Sequence, residues 1–172
     1  MNKPRNFSRA NLRGANLENA DLKEVNLQGA NLARANLCGA NLWGANLQGA
    51  NLFRAYLAGA NLRGANLEKA NLIEADLYHA YIASSNLSSA NLFCANMIEA
   101  DLQSANLERA DLQSANLSGA DMFNTNLTYT NLSNANLTGA MLYDAVLKNT
   151  NLIGATLDNV TWPDGWELDR RE

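Results

Sequence analysis

Few side chains in this sequence are suited to chemistry, and their surroundings limit what they can do. The single histidine, His79, lies in Tyr78-His79-Ala80-Tyr81. An imidazole titrates near neutral pH and is the commonest general base, but that role needs a nucleophile in reach and a group to orient the ring. Nothing beside it in the sequence supplies either, so His79 reads as a surface residue. Cys38 and Cys94 stand in no Cys-X-X-Cys or Cys/His pattern of a zinc site. No phosphate-binding loop, GxGxxG or HExxH pattern occurs. The expectation is no catalytic residue, no cofactor-binding residue, no metal ligand and no cofactor. Asn-Leu-Ser at Asn86 and Asn-Leu-Thr at Asn126 resemble glycosylation sites, but such triplets recur wherever the pattern described below allows.

Composition narrows the class further. The 172 residues carry 13 basic and 17 acidic side chains, a net charge of −4, and 47% are hydrophobic. That is too apolar for a disordered chain and too acidic for a general nucleic-acid binder. No apolar run approaches the roughly 18 residues of a membrane span. Met1 to Ala10 contains no apolar segment of the kind that marks a secretory signal, so a cytoplasmic protein is expected, with no membrane association and no direct nucleic-acid contact.

The elements that must position these residues are set by a repeat. From Phe7 to Trp162 a large apolar residue occupies every fifth position, 32 in all, of which 27 are Leu. Two residues before it stands Ala in 25 units, and between them Asn in 21 and Asp in five. The unit is Ala-(Asn/Asp)-Leu-X-X. On a helix a period of five would spread the leucines around every side. On a flat strand it would send alternate leucines to opposite faces. Ala and Leu, two apart, share one face of a short extended segment, and the three-residue step to the next Ala demands a corner. Ten of the eleven glycines fall on the second corner residue, where a positive φ is cheapest for glycine. Asn, Ser, Glu, Lys and Arg also occupy that position, so positive φ is not expected at every corner. Proline is absent from residues 5–162, in keeping with backbone N–H groups that pair between coils.

This pattern resembles the pentapeptide-repeat family, whose motif is A(D/N)LXX, over Arg5 to Trp162. The resemblance implies an all-β fold, a right-handed quadrilateral parallel β-helix of about eight coils with four pentapeptides each. At ~4.8 Å per coil such a rod is roughly 38 Å long. Residues 1–4 are then an N-terminal leader, 5–162 the β-helix, and 163–172 a C-terminal cap and tail. Cys38 and Cys94 fall on different faces about three coils, or ~14 Å, apart, too far for a disulfide, so free thiols and a reducing compartment are expected. The Leu-centred, Asn-rich units look like those of cyanobacterial members, most without an assigned role and some implicated in regulating cell differentiation. The reading is therefore a non-enzymatic structural or protein-interaction module with an unidentified protein partner. The alternative implied by the resemblance is a DNA-mimic inhibitor of gyrase or another type II topoisomerase. Residues 1–86 carry a net charge of +3 and residues 87–172 of −7. Against the mimic stand this modest total charge and the excess of Asn over Asp.

A square coil stacks residues 20 apart. Phe53, Ile73 and Phe93 then form consecutive rungs of one outward column, exposed side by side, with Tyr56, Tyr78 and Ile98 at similar height on the adjoining face. These six are the candidate protein-contact surface. Trp43 reads as a lone outward aromatic. At the C-terminal end Trp162, Pro163, Trp166 and Leu168 form the candidate cap: Pro163 removes a donor, Asp164-Gly165 turns the chain, and Trp166 and Leu168 fold back over the last coil. No capping helix precedes the first unit, and an open first coil leads to the expectation of end-to-end pairing of two copies.

Overall fold

The computed structural model describes residues 5–166. Every fifth residue bridges in parallel to the residue 20 positions later, from Asn6↔Asn26 to Met141↔Thr161. The bridges form four ladders of eight rungs. Face one runs from Asn6 to Val146, face two from Asn11 to Asn151, face three from Asn16 to Thr156 and face four from Asp21 to Thr161. The fold is a right-handed, four-sided parallel β-helix. Its interior is filled by the Ala and Leu of each unit, almost all of them fully buried from Val25 to Leu142. A fully buried Leu contributes on the order of 1.5–3 kcal/mol, so the stacked leucine columns dominate stability.

The backbone accounting explains the motif position by position. In the unit Ala30-Asn31-Leu32-Ala33-Arg34, the N–H of Asn31 donates to Ala10 O in the previous coil at 2.9 Å. Leu32 N–H donates to Asn51 O in the next coil at 2.7 Å, and Arg34 N–H to Phe53 O at 2.9 Å. The N–H of Ala35, the first residue of the following unit, closes the corner onto Leu32 O at 3.0 Å. One donor in five, that of the first corner residue, has no backbone acceptor. Asn31 Oδ1 takes it, accepting from Ala33 N–H at 3.2 Å. All 26 Asn and Asp at this position make the same local bond. Asn also has an amide to spare. Asn31 Nδ2 donates to Asn11 Oδ1 at 3.3 Å, and such side-chain rungs run up the faces. Aspartate can close the local bond but cannot donate to the rung before it, which is why Asn predominates.

The corners correct one expectation. Positive φ occurs at the second corner residue of every unit from Arg9 to Asn159, whatever the residue type. Glu24, Lys69, Ser84 and Tyr129 have φ of 54°, 57°, 57° and 59°, beside 63° at Gly49. Positive φ at the third turn position is the sign pattern of a type II turn. A side chain there costs roughly 1–2 kcal/mol, and the inter-coil bonds on both sides of each corner hold it in place. The described C-terminal residues then slip register. Trp166 N–H donates to Pro163 O at 3.1 Å, and Gly165 rather than Asp164 takes the positive φ, 71°. Pro163 stands at a first corner position, and lacking an N–H it needs no cap from Thr161 two residues before it, so nothing is left unpaired there. Trp166 stacks on Trp162 with ring centroids 4.0 Å apart, and Trp162 packs against the core. Leu168 and the rest of the proposed tail, and residues 1–4, lie outside the described residues. At the opposite end Phe7 is exposed and Leu12 and Leu17 are half-buried.

Candidate functional site

With the interior full and the backbone paired, function falls to the outward side chains. Face three at rungs three to five gathers the six contact candidates. Phe53, Ile73 and Phe93 succeed one another along the corner before this face; Arg54 N–H donates to Ile73 O and Glu74 N–H to Phe93 O, which fixes the rung order. Tyr78 and Ile98 line the corner after it, and Tyr56 stands on the flat between. Their exposure differs from expectation. Phe53, Ile73, Phe93 and Ile98 are half-buried, whereas Tyr56 (54%) and Tyr78 are exposed. Neighbours in an outward column lie one strand spacing apart and cover one another, so column position alone overstates their exposure.

Tyr56 interrupts a ladder. Asn36 Nδ2 donates to Asn16 Oδ1, and Asn96 Nδ2 donates to Asp76 Oδ1, but Tyr56 makes neither a rung nor a local cap. Among the described residues the N–H of Ala58 consequently has no acceptor. Tyr81 interrupts face four in the same way; the Arg63 guanidinium stacks 4.6 Å over its ring and reaches Asp101 Oδ2 at 3.0 Å.

The titratable groups of the described residues are spread over the surface. His79 is exposed, its ring edge-on to Tyr78 at 4.1 Å, and its Nε2 is 3.1 Å from Glu99 Oε2 one rung on. That carboxylate is a partner that sequence reasoning missed, although a separation of 20 residues puts the two on consecutive rungs. Cys38 is half-buried and Cys94 exposed, and neither is in a disulfide. Among the described residues no three of His, Cys, Asp and Glu converge as metal ligands. Glu68 accepts hydrogen bonds from Lys69 and Gln48, and these hold its carboxyl below the ordinary value of 4.5. A shallow notch of about 250 Å³ opens over Ala33, flanked by Arg13, Arg34 and Phe53. No helix of the described residues is long and apolar enough to cross a membrane.

Folding also redistributes charge. Face three and its following corner carry Glu18, Asp76, Glu99 and Asp158 but no Lys or Arg. Face two and its corner carry Arg13, Arg34 and Arg54 at rungs one to three. The asymmetry therefore runs across the rod as well as along it. Sequence reasoning also missed a second apolar patch at rungs six and seven of face four and its corner, reaching the last rung of face one. Phe123 (39%) and Tyr143 (43%) stack there with centroids 6.0 Å apart and planes 11° from parallel, and Met141 and Val146 are exposed beside them. Its signal was legible in retrospect, since residues 123 and 143 are 20 apart. Trp43 is exposed but not alone, for Lys23 Nζ lies 4.5 Å over its ring.

Comparison with known proteins gives a consistent picture. The profile of the family described as pentapeptide repeats matches in eight copies, including residues 6–44, 50–88, 90–128 and 120–159. No curated protein sequence matches. Among solved structures the chain is 32% identical to HetL, a pentapeptide repeat protein involved in heterocyst differentiation regulation from the cyanobacterium Nostoc sp. strain PCC 7120. That match covers 95% of this chain and 89% of HetL, with a TM-score of 0.47. It is 22% identical to trypsin-treated QnrB1, a plasmid-mediated fluoroquinolone resistance protein, over 90% of this chain and 78% of that one, with a TM-score of 0.73. It is 32% identical to Rfr23 of the cyanobacterium Cyanothece 51142, over 62% of this chain and 90% of that one, with a TM-score of 0.33.

Proposed function

The chain belongs to the pentapeptide-repeat family, and we propose that it is a non-enzymatic protein-interaction module whose contact surface is face three at rungs three to five. One observation carries this reading. At Tyr56 the repeat gives up a side-chain rung and the cap on Ala58 N–H, and shows a tyrosine to solvent instead. A residue that weakens the fold while standing exposed between Phe53, Ile73 and Phe93 on one side and Tyr78 and Ile98 on the other is explained by what it touches outside the chain. The rest of the rod offers a rigid, flat-sided frame for such a surface. The test is affinity capture from the native cell with the wild-type chain and with a Tyr56→Ser, Tyr78→Ser variant. A partner retained equally by both would remove this surface from consideration.

A second reading, a DNA-mimic inhibitor of gyrase, draws on a different observation. Glu18, Asp76, Glu99 and Asp158 stand on face three and its corner without a Lys or Arg. A one-sided acidic strip has the sign needed to enter a basic DNA-binding groove. A gyrase supercoiling assay decides this reading, and full supercoiling at micromolar protein would rule it out.

A further inference from the structure

Four aromatic rings of this rod are covered by a cation of the same chain, and one exposed stacked pair is not. Lys23 lies 4.5 Å over Trp43, Arg54 5.0 Å from the Phe53 centroid, Arg63 4.6 Å over Tyr81 and Arg109 5.3 Å over Tyr129. These cations come from the same rung or an adjacent one, and each covers an aromatic face that would otherwise meet water. Phe123 and Tyr143 form the largest exposed aromatic pair on face four, yet among the described residues no Lys or Arg reaches either ring. The cations of that face, Lys23 and Arg63, sit at rungs one and three and are already engaged. Carboxylates surround the pair instead. Asp121 precedes Phe123 on its rung, Asp144 follows Tyr143, and Asp164 Oδ2 lies 3.5 Å from the Tyr143 hydroxyl. None of the three makes an ion pair within the described residues.

We propose that the Phe123–Tyr143 patch is a second docking site, for an arginine-bearing segment of a partner protein, and that the guanidinium stacks on these rings and pairs with Asp144 and Asp164. The inference rests on the reading of this chain as an interaction module and names the chemistry of one partner. Charge selects the occupant. Asp121 already accepts from Gln103 Nε2 and Phe123 N–H, but a purely apolar partner would bury Asp144 and Asp164 without a countercharge, which is costly, whereas a guanidinium satisfies ring face and carboxylates together. The negative field is also felt by the site itself: Asp164, then Asp144, push the Tyr143 phenol above its ordinary 10.0. Met141 and Val146 would receive the aliphatic stem of the arginine.

The probe is an acetylated, amidated Gly-Arg-Gly-Arg-Gly peptide, titrated into the full chain and followed by aromatic NMR shifts, with citrulline replacing arginine in the control. Saturable shifts at Phe123 and Tyr143, absent with citrulline and at least tenfold weaker in Asp144→Asn with Asp164→Asn, support the proposal. Equal affinity in that variant, or shifts spread evenly over face three, overturns it as unspecific attraction to an acidic rod. Binding that strengthens tenfold when the chain ends at Trp166 also overturns it, since Arg170 or Arg171 would then be the native occupant. So does concentration-dependent self-association lost in Phe123→Ser, which would make the occupant a second copy. Failure here leaves the face-three reading standing, because that surface is tested separately by Tyr56→Ser with Tyr78→Ser.

Discussion

Ser85 offers a direct test of the backbone accounting. It occupies the position held by Ala in most units, it is buried, and its Oγ has no hydrogen-bond partner. Three threonines at the equivalent position behave differently. Thr125 donates to Leu102 O at 2.9 Å, Thr130 to Leu107 O at 2.8 Å and Thr150 to Leu127 O at 2.8 Å, each 23 residues back. The corresponding acceptor for residue 85 is Leu62 O, which already receives Ala65 N–H and has a lone pair free. An orphaned buried hydroxyl costs about 1–3 kcal/mol, and the void left by its removal returns a few tenths. Ser85→Ala is therefore expected to stabilise by about 1–2 kcal/mol. For a chain of this length that raises Tm by roughly 3–6 °C, read by circular dichroism on thermal melting. Ser85→Thr should raise it as well, because β-branching restricts χ1 and can hold the hydroxyl on Leu62 O as at the three native threonines. A Tm lowered by Ser85→Ala would mean that the hydroxyl is satisfied in solution, and would refute the argument.

Three other outcomes follow from the same geometry. Ala95→Phe, in the filled interior, should cost about 3 kcal/mol and some 10 °C of Tm, while Gln103→Phe on the outside should leave the melt nearly unchanged; equal melting points would contradict the register. Tyr56→Asn should restore both the rung with Asn36 and the cap on Ala58 N–H, gaining about 1–2 kcal/mol while weakening partner capture, and a destabilised variant would undo the reading of Tyr56 as a sacrifice of stability. Glu68 ionises more easily folded than unfolded, so its contribution is present above the ordinary 4.5 and is lost as pH falls through the lower folded value; Glu68→Gln should flatten the stability profile in that acid window, and an unchanged slope in urea melts would show the contacts to Lys69 and Gln48 to be ineffective.

The repeat made the interior legible. A spacing of five with Ala two before Leu dictates an inward pair and a corner, and the faces that resulted bury those residues. The square cross-section came from resemblance, because the period alone does not say how many corners close a coil. The corner conformation was misjudged from residue type. Propensity argues that Glu24 or Lys69 avoids positive φ, but each corner is held by its closing bond and by inter-coil bonds on both sides, and together these outweigh a cost of roughly 1–2 kcal/mol. Contacts such as His79–Glu99 and Arg63–Asp101 link residues 20 or 38 apart, so only the folded register brings them together. A period of 20 assigns residues to columns but does not give their exposure, and Phe53 and Phe93 are partly covered.

That distinction bears on where function should be sought in a rod of this kind. An outward aromatic is weak evidence when its column neighbours shield it or when a cation of the same chain covers its face, as at Trp43 and Tyr129. Evidence is stronger where a substitution harms the fold and nothing within the chain compensates. Tyr81 breaks its ladder, but Arg63 covers the ring and ties it to Asp101. Tyr56 breaks its ladder and, among the described residues, no cation covers it. Phe123 and Tyr143 break no ladder, but they draw three carboxylates around rings that no described cation shields. The first site is marked by stability forgone and the second by charge left unbalanced, so the two are separable by experiment. Tyr56→Asn should gain stability and lose a partner, whereas Asp144→Asn with Asp164→Asn should leave the melt nearly unchanged and lose only the guanidinium.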